Sequence, residues 1–378
     1  MKIAVFYSGY LPGEKYGGPV TSIYNFVELF GDDSKIFIIC TNHDLKDTVP
    51  YSGISPGWNK IGKAQVLYLS DEEYGKRRFS EVLDEISPDL IYASSVFSAN
   101  QTYPLFELSK TKGIPLLLAP RGELNNNALA IKKAKKKAYL IMLKFQRKLS
   151  STFFQATSEE EKRNIIQNLH VNEEKVFLLP NVPSLPEHKK IIDKQSGKLR
   201  ICFVGRIVEN KNLLIALKAV VLSKSQIIFD IFGPSEDKDY FEECQKVINS
   251  APDHITITYK GAVSPSKMKD AYSNYDCLIS PTKFENYGQA IVEAMLHDVP
   301  VIISKGTTPW DDLEDFCSGY TVSNEDIYEY TKAIDSLASM DEMQYRVQID
   351  RLRTYCSQKF DCSELKKKYQ ESFKKIID

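Results

Sequence analysis

The sequence predicts an α/β protein of two domains with parallel sheets, and three observations lead to that prediction. Its 378 residues exceed what one ordinary core holds and suit two domains of ~150 to 190 residues each. Short β-rich apolar runs alternate with longer helical patterns, which is typical of parallel strands covered by helices. A stretch rich in proline and charge, residues 180–198, has no clean period and predicts a linker between two such series.

The first series predicts a domain over residues 1–182, joined to the second by a linker at 183–198. Its apolar runs predict strands at residues 3–7, 35–40, 65–68, 90–93, 115–119 and 152–156. The helical patterns between them fall at residues 21–30, 77–86, 102–112, 132–149 and 159–168.

The second series predicts a domain over residues 199–360, followed by a last helix at 361–378. Strands are expected at residues 200–205, 227–232, 255–259, 277–280 and 300–303. Helices are expected at residues 213–224, 240–249, 265–274, 289–297, 327–339, 341–358 and 362–377. Two Rossmann-like domains follow, and such domains bind ligands outside the carboxyl ends of their strands. Two facing sheets would therefore place a site in the cleft between them.

Composition excludes several classes of protein. Forty-nine basic and fifty acidic residues leave a net charge of −1, which predicts no nucleic-acid partner. The seven cysteines are scattered and odd in number, so we expect reduced thiols in a cytoplasmic protein. The first residues resemble a buried strand rather than a signal peptide, and no apolar run is long enough for a transmembrane helix. We expect no metal site and no cofactor, because metal-ligand spacing and G-x-G-x-x-G are both missing.

Two cations flank the predicted start of a helix in the second domain. Arg206 follows the strand that ends at Gly205, and Lys211 precedes Asn212, a predicted cap for the helix that begins at Leu213. Both cations are expected to point into one crevice, where a guanidinium, an ammonium and helix amides would suit a diphosphate. The alternative is that both are solvated surface groups, and the spacing by itself favours that alternative.

A second pattern runs from Ser280 through an apolar helix to Leu296. The residues from Glu285 to Gly288 predict a tight turn, whose amides near Tyr287 and Gly288 would hold phosphate. Glu293 lies about 7.5 Å further along the helix, roughly the reach from a diphosphate to the ribose hydroxyls. Glu285 would face the group beyond the diphosphate. The alternative makes Glu293 an exposed helix residue and Glu285 a charge favoured by the helix dipole.

These residues resemble the donor-site signature of the retaining GT-B glycosyltransferases, specifically glycosyltransferase family four. The signature residues are Glu285 and Glu293 with Ala294-Met295, together with G-R-x-x-x-x-K-N from Gly205 to Asn212. Further segments resemble the family in the same order along the chain: Tyr16-Gly17-Gly18-Pro19, Ala119 to Leu124, Thr157-Ser158-Glu159 and Leu179-Pro180-Asn181. Arg121 stands where many members carry histidine.

The resemblance implies a GT-B fold with its two domains facing across a cleft and the last helix returning to the first domain. It implies a nucleotide-diphosphate sugar as donor, with UDP- or GDP-sugar expected, and a saccharide or lipid-linked glycan as acceptor. The implied residue roles are as follows: catalytic, Arg206, Lys211 and Glu285; donor-binding, Gly17, Gly18, Asn286, Tyr287, Gly288 and Glu293; acceptor-binding, Arg121, Gly122 and Glu123. The expected reaction is metal-independent hexosyl transfer with retention, in the biosynthesis of a surface polysaccharide.

Other classes stay open at this point. A nucleotide-sugar epimerase or hydrolase of the same architecture would turn over donor without an acceptor, and a non-catalytic nucleotide- or glycan-binding module would turn over nothing.

Two further motifs resemble binding sites but are incomplete or lie in the wrong context. Gly57 to Ala64 nearly matches a Walker A loop but lacks its Ser/Thr, and Asp237-Lys238-Asp239 resembles a metal-binding D-x-D but predicts a solvated loop and a helix start.

A basic segment in the first domain suggests a location. Between Leu124 and Ser150 there are eight Lys/Arg and no Asp/Glu. Five of these lysines lie between Lys132 and Lys137 and are followed by apolar residues between Tyr139 and Phe145. Residues 132–148 are therefore expected to contact an anionic membrane surface, which would place the protein at the inner face of the membrane as a peripheral protein. The alternative is a helix that packs on the core and keeps a solvated lysine face.

Overall fold

The computed structural model describes residues 1–146, 148–184, 192–323 and 325–378, without the side chain of Asn127. The chain divides into two compact units. The first comprises Met1–Val182 and Cys362–Asp378, and the second comprises Pro183–Asp361. Within the predicted linker at 183–198, residues 185–191 lie outside the described residues.

The first unit begins with alternating strands and helices. The strands are β1 (Lys2–Phe6), β2 (Lys35–Thr41), β3 (Trp58–Ile61), β4 (Ala64–Leu69), β5 (Leu90–Ser94), β6 (Leu116–Ala119), β7 (Thr152–Ala156) and β8 (Val176–Leu178). The helices are α1 (Gly18–Phe30), α2 (Lys76–Ile86), α3 (Thr102–Lys112), α4 (Asn126–Ala130), α5 (Lys133–Phe145) and α6 (Glu159–Leu169).

These strands form one sheet in the order β3-β4-β2-β1-β5-β6-β7-β8. All neighbours are parallel except β3 and β4. Side chains alternate between the faces of β1, so Ile3 and Val5 enter one core and Ala4 and Phe6 the other. Burial on both faces is the reason these strands read as continuous apolar runs.

The second unit repeats the alternation. Its strands are β9 (Lys198–Val204), β10 (Gln226–Phe232), β11 (Ile255–Gly261), β12 (Cys277–Ser280), β13 (Val301–Ser304) and β14 (Tyr320–Val322). Its helices are α7 (Leu213–Leu222), α8 (Lys238–Ile248), α9 (Pro265–Ala271), α10 (Gln289–Leu296), α11 (Ile327–Ser339) and α12 (Glu342–Lys359).

The second sheet has the order β11-β10-β9-β12-β13-β14 and is parallel throughout. Strand order reverses between β9 and β12, and ligands of open α/β sheets bind outside the carboxyl ends of the strands at such a point. The loops that leave β9, β10 and β12 therefore share the edge of the sheet where a ligand is expected.

The last helix, α13 (Cys362–Ile377), belongs to the first unit. Tyr369 and Phe373 are buried in the core beside α1, and the Tyr369 ring centroid lies 5.4 Å from that of Phe30. The Tyr369 hydroxyl donates to the Pro180 carbonyl at 2.9 Å. The end of the chain thus packs on the unit in which the chain begins.

Most predicted elements are confirmed within a residue or two, and β7 and α13 are confirmed to the residue. Strands β3, β8 and β14 were not predicted, because each has only three or four residues and too few side chains for a visible alternation. The Walker-like sequence forms the β3–β4 hairpin instead of a phosphate loop. Asp237 caps α8 by accepting from the Tyr240 amide at 3.1 Å, as expected of a helix start.

The helix predicted at 132–149 is found as α5, which begins within a residue of the predicted start and ends earlier, at Phe145. The short helix α4 before it was not predicted, and Lys132, with a positive φ of 54°, separates the two. Arg147, within the predicted membrane-facing stretch, lies outside the described residues. Among the described residues, no helix combines the length and apolar character needed to cross a membrane.

Candidate functional site

Three loops meet at the carboxyl edge of the second sheet. They are residues 205–212 after β9, 233–237 after β10 and 281–288 after β12, and together we call them the loop cluster. The first two loops touch backbone to backbone, because a Cβ at Gly233 would lie 1.9 Å from the Gly205 carbonyl oxygen. Gly233 also has φ of 139°, so glycine is required there on both counts. This contact sets the spacing between the two loops.

Arg206 is paired with a carboxylate that sequence reasoning missed. Its Nη1 lies 3.2 Å from Oε2 of Glu236 in the second loop, and its side chain is 49% exposed. A β-bridge between Ile207 and Ser235 aligns the two loops and brings these side chains together. The position of Glu236, a few residues beyond the next strand at the same edge, was the available signal.

Lys211 is paired with Glu285 of the third loop, and each side chain is about four-fifths buried. Backbone contacts hold the two loops together, since the Lys283 amide donates to the Asn210 carbonyl at 2.8 Å and Asn210 Nδ2 donates to the Phe284 carbonyl at 3.1 Å. Each of the two cations thus faces its own carboxylate within the loop cluster. That both point into one crevice and bind a diphosphate together stays a prediction.

The predicted cap at Asn212 is also wrong. Asn212 occupies the N-cap position of α7 in the left-handed conformation, with φ of 56°, and its side chain makes no capping hydrogen bond. Its amide instead donates to the Glu209 carbonyl at 3.1 Å and closes a short 3₁₀ turn that ends at Lys211. This turn directs Lys211 toward Glu285.

The turn from Glu285 to Gly288 leads into α10 as predicted. The Glu285 amide donates to the Thr307 carbonyl at 2.7 Å, and Trp310 Nε1 donates to the Tyr287 carbonyl at 2.6 Å. Gly288 is the N-cap residue with φ of 74°, and Asn286 lies half-buried in the turn. The amide groups of the first helical turn point toward the loop cluster, as an anion site requires.

Glu293 is the fifth residue of α10 and is only 7% exposed, so the alternative of an exposed helix residue is wrong. Its Oε1 accepts from Gln289 Nε2 at 3.0 Å. The buried Tyr272 hydroxyl interacts with the same carboxylate, and burial raises the pKa of Tyr272 well above its usual value. Tyr272, in the 3₁₀ turn after α9, had no sequence signal, because a lone tyrosine is typical of a core.

His297 lies at the end of α10, below Glu293. Its Nδ1 is 2.7 Å from the Glu293 carbonyl oxygen, and its ring centroid is 5.3 Å from that of Tyr272. Burial lowers the pKa of His297. The ring is therefore expected to stay neutral where an exposed histidine would begin to charge.

The predicted glycine turn in the first unit forms the start of α1. Gly17 is the N-cap residue with φ of 68°, and its carbonyl accepts from the Val20 amide at 3.0 Å. A Cβ at Gly18 would meet nothing within 4 Å. The side-chain position at Gly18 is therefore open.

Arg121 is held inside the first unit. Its guanidinium donates to Ser94 Oγ at 3.0 Å, to Asn181 Oδ1 at 2.7 Å and to the Tyr92 hydroxyl at 3.1 Å. The residue has a positive φ of 52°, which turns the chain at the carboxyl end of β6. The arginine ties this loop to the two neighbouring segments.

Gly122 and Glu123 also have partners within the first unit. The Gly122 amide donates to Glu161 Oε1 at 2.6 Å, and Glu161 is only 2% exposed. Glu123 accepts from Ser95 Oγ at 2.7 Å and from the Val96 amide at 2.6 Å, while burial raises its pKa. In this structure the polar groups of all three residues organise the loop, and their role toward an acceptor stays a prediction.

Comparison with known proteins identifies the second unit. Residues 184–350 match the family model described as "Glycosyl transferases group 1". An uncharacterised 41.2 kDa protein in the cps region of Klebsiella pneumoniae is 26% identical over 252 residues, which cover 64% of this chain and 66% of that protein. The poly(glycerol-phosphate) alpha-glucosyltransferase of Bacillus subtilis is 27% identical over 199 residues, which cover 50% of this chain and 28% of that protein.

Solved structures match the whole chain. The Anabaena protein HepE in complex with UDP and glucose aligns with a TM-score of 0.71 at 16% identity, and the alignment covers 99% of this chain and 100% of that one. At 16% identity this structural match shows a shared fold and nothing about activity. Because solved GT-B structures match the full length, the chain has the GT-B fold, and its residues 184–350 are similar to the group 1 glycosyl transferases.

Proposed function

We propose that this protein is a retaining glycosyltransferase that moves a hexose-type sugar from a nucleotide-diphosphate sugar to a saccharide or lipid-linked saccharide. The observation that carries the proposal is the loop cluster, where the ion pairs Arg206–Glu236 and Lys211–Glu285 lie at the carboxyl edge of the sheet in the family-matched unit. The fold by itself would not carry it, since one fold hosts many functions.

The chemistry follows from the difficulty of expelling a diphosphate. Negative charge grows on the leaving group as the sugar develops oxocarbenium character, and preorganised cations lower the barrier by stabilising that charge. Arg206 and Lys211 supply two positive charges at the place where the amides of α10 begin. When a donor binds, each cation exchanges its carboxylate partner for a phosphate oxygen.

The same exchange gives the carboxylates their tasks. Once Lys211 turns to phosphate, Glu285 accepts hydrogen bonds from sugar hydroxyls. Glu293, below the helix start, accepts from the ribose hydroxyls. Gly17 and Gly18 keep their proposed donor-binding role, since glycines without a Cβ let backbone amides approach a phosphate closely. No enzymic nucleophile is needed, because the acceptor attacks the face from which the diphosphate departs and the leaving oxygen takes the proton.

The proposed acceptor is a growing glycan of a cell-surface polysaccharide. Support comes from the relatives, one of which lies in a cps region and another of which is a poly(glycerol-phosphate) alpha-glucosyltransferase. We place the reaction in the cytoplasm, with the protein peripheral at the inner face of the membrane through residues 132–148. Arg121, Gly122 and Glu123 shape the acceptor side as the frame of its loop.

A panel of UDP-, GDP-, ADP- and dTDP-sugars tests the donor. A true donor at about 100 times its Kd stabilises the folded protein by ~2.7 kcal/mol, or roughly 5 to 10 °C in melting temperature. The positive nucleotide sugar is then incubated with and without a glycan acceptor. Transfer that requires acceptor supports the proposal, whereas equally fast donor turnover without acceptor identifies a hydrolase and contradicts it. Nucleotide binding without turnover under any acceptor also contradicts it.

A further inference from the structure

Helix α5 is attached to the first unit by one face. Leu143 is fully buried, and the Tyr139 ring centroid lies 5.7 Å from that of Phe97. Lys136, on the same face, places Nζ 5.0 Å from the Phe97 centroid and donates to the Ala128 carbonyl at 2.6 Å. These contacts fix the rotation of the helix, so the identity of its outward face is determined.

That outward face combines exposed apolar side chains with lysines. Phe145 is 89% exposed, Ile141 is 59% exposed, and Ile131 in the turn before the helix is 66% exposed. Burying rings and branched chains is normally favourable, so three such residues exposed within fifteen positions form an unusual surface for a soluble domain. We call Ile131, Ile141, Phe145 and the surrounding lysines the α5 surface.

A groove runs along the same helix. Its volume is about 450 Å³, and α5 lines it with Lys133, Lys137, Leu140, Ile141 and Lys144. These positions are spaced i, i+4, i+7, i+8 and i+11, so they form one stripe about 16 Å long. Leu129 and Leu169 close the groove from α4 and α6. Leu140 and Ile141 form the apolar middle of the stripe, with Lys133 and Lys137 toward one end and Lys144 at the other.

The charge of this surface has one sign. The segment from Leu124 to Ser150 contains no Asp or Glu. Among the described residues, neither Lys133, Lys137 nor Lys144 lies in an ion pair, and no acidic residue lines the groove. An occupant that complements the surface is therefore anionic at its head and apolar in its body.

We propose that the α5 surface binds the anionic phospholipids of a bilayer, with lysines on lipid phosphates and the groove taking one acyl chain. The inference rests on the proposed function in one respect, because that function assigns the acceptor to the first unit, where the α5 surface lies. Binding of phospholipid does not involve the donor site. Partial insertion of Phe145 and Ile141 adds an apolar component that attraction to charge alone would not have.

Vesicle sedimentation of the full chain tests the proposal. The vesicles contain phosphatidylcholine alone or with phosphatidylglycerol, at low and high salt. Wild type is expected to bind the anionic vesicles, and the variant Lys133→Glu/Lys137→Glu/Lys144→Glu is expected to bind at least ~100-fold more weakly, from about fivefold for each cation. Ile141→Ser/Phe145→Ser should weaken binding at high salt, where charge is screened.

The matched control reverses three exposed lysines of the other unit, Lys218→Glu/Lys224→Glu/Lys332→Glu, and should keep wild-type binding. Equal binding by the two triple variants overturns the proposal, as does equal binding to neutral vesicles. A wild-type dimer that Phe145→Ser dissociates without change in vesicle binding also overturns it, since the occupant would then be a second copy of this chain. Transfer to a water-soluble acceptor is measured in parallel, so a failed lipid site is distinguishable from a failed transferase assignment.

Discussion

The loop cluster of the second unit and the α5 surface of the first are both rich in cations, but they differ in whether those cations are paired with carboxylates. In the loop cluster each cation has its own carboxylate, Glu236 for Arg206 and Glu285 for Lys211. On the α5 surface the outward lysines among the described residues have no acidic partner and stand between exposed apolar side chains.

The difference separates two ways of binding an anion. A paired cation is held in place and gives up its carboxylate for a ligand of the right shape, so geometry selects the ligand. Unpaired cations on a surface attract any anionic array, and salt screens that attraction strongly. Glycosyl transfer requires the first kind of site, and docking on a lipid surface requires the second.

The largest expected effect is on turnover when a paired cation is removed. Lys211→Ala and Arg206→Ala should each reduce kcat by roughly 30- to 1000-fold, because a preorganised charge in the transition state contributes ~2–4 kcal/mol. Steady-state kinetics with the identified donor measure this, with the melting temperature as a check on folding. Lys224→Ala, an exposed lysine of the same unit, is the control. Wild-type kinetics in both variants would remove the loop cluster from the reaction.

A smaller effect is expected at Glu293. Glu293→Gln keeps the size of the buried side chain but removes its charge, so the donor KM should rise by ~10- to 100-fold, the range of a hydrogen bond to a charged group. The acceptor KM should stay unchanged, which serves as the internal reference. If the acceptor KM rose instead, Glu293 would belong to the other side of the reaction.

The pairing itself is tested at Glu236. Glu236→Gln frees Arg206 from a competing carboxylate, so UDP should bind about 1.5- to 5-fold more tightly, in line with a partly exposed ion pair of ~0.2–1 kcal/mol. Isothermal titration calorimetry measures the change, with Glu242→Gln on α8 as the control for lost negative charge. Weaker UDP binding would mean that the carboxylate positions Arg206 rather than competing for it.

The smallest effect concerns pH and stability. Burial lowers the pKa of His297, so below the ordinary histidine value of about 6.5 the unfolded chain takes up more protons than the folded one. Stability therefore falls as pH drops through this range. The melting temperature should fall more between pH 7 and pH 5 in wild type than in His297→Gln. If the melting temperatures of wild type and His297→Gln fell equally with pH, protonation of His297 would not destabilise the folded protein.

Much of the site was predictable because its motif residues follow strands of one parallel sheet and resemble a family signature. Lys211, Glu285, Gly288 and Glu293 follow β9 and β12, which the structure shows to be neighbours in the sheet. The position of Glu236 after the next strand placed it at the same edge as Arg206, but its pairing with Arg206 and the partners of Arg121 were not predictable. Each depends on how a neighbouring loop turns its side chains, and a local pattern does not contain that information.

The sequence by itself determined the two α/β series, the buried strands and the basic, acid-free segment, because periodicity and charge are local properties of a chain. Only the tertiary structure decided the contacts between distant residues. Gln155 donates to the Tyr369 hydroxyl across 214 positions of the chain, which ties the last helix to the first sheet. The rotation of α5, which exposes Phe145 and buries Leu143, likewise came from packing on Phe97. Apolar residues occur all around that helix, so burial of one face was decided by the surface it met.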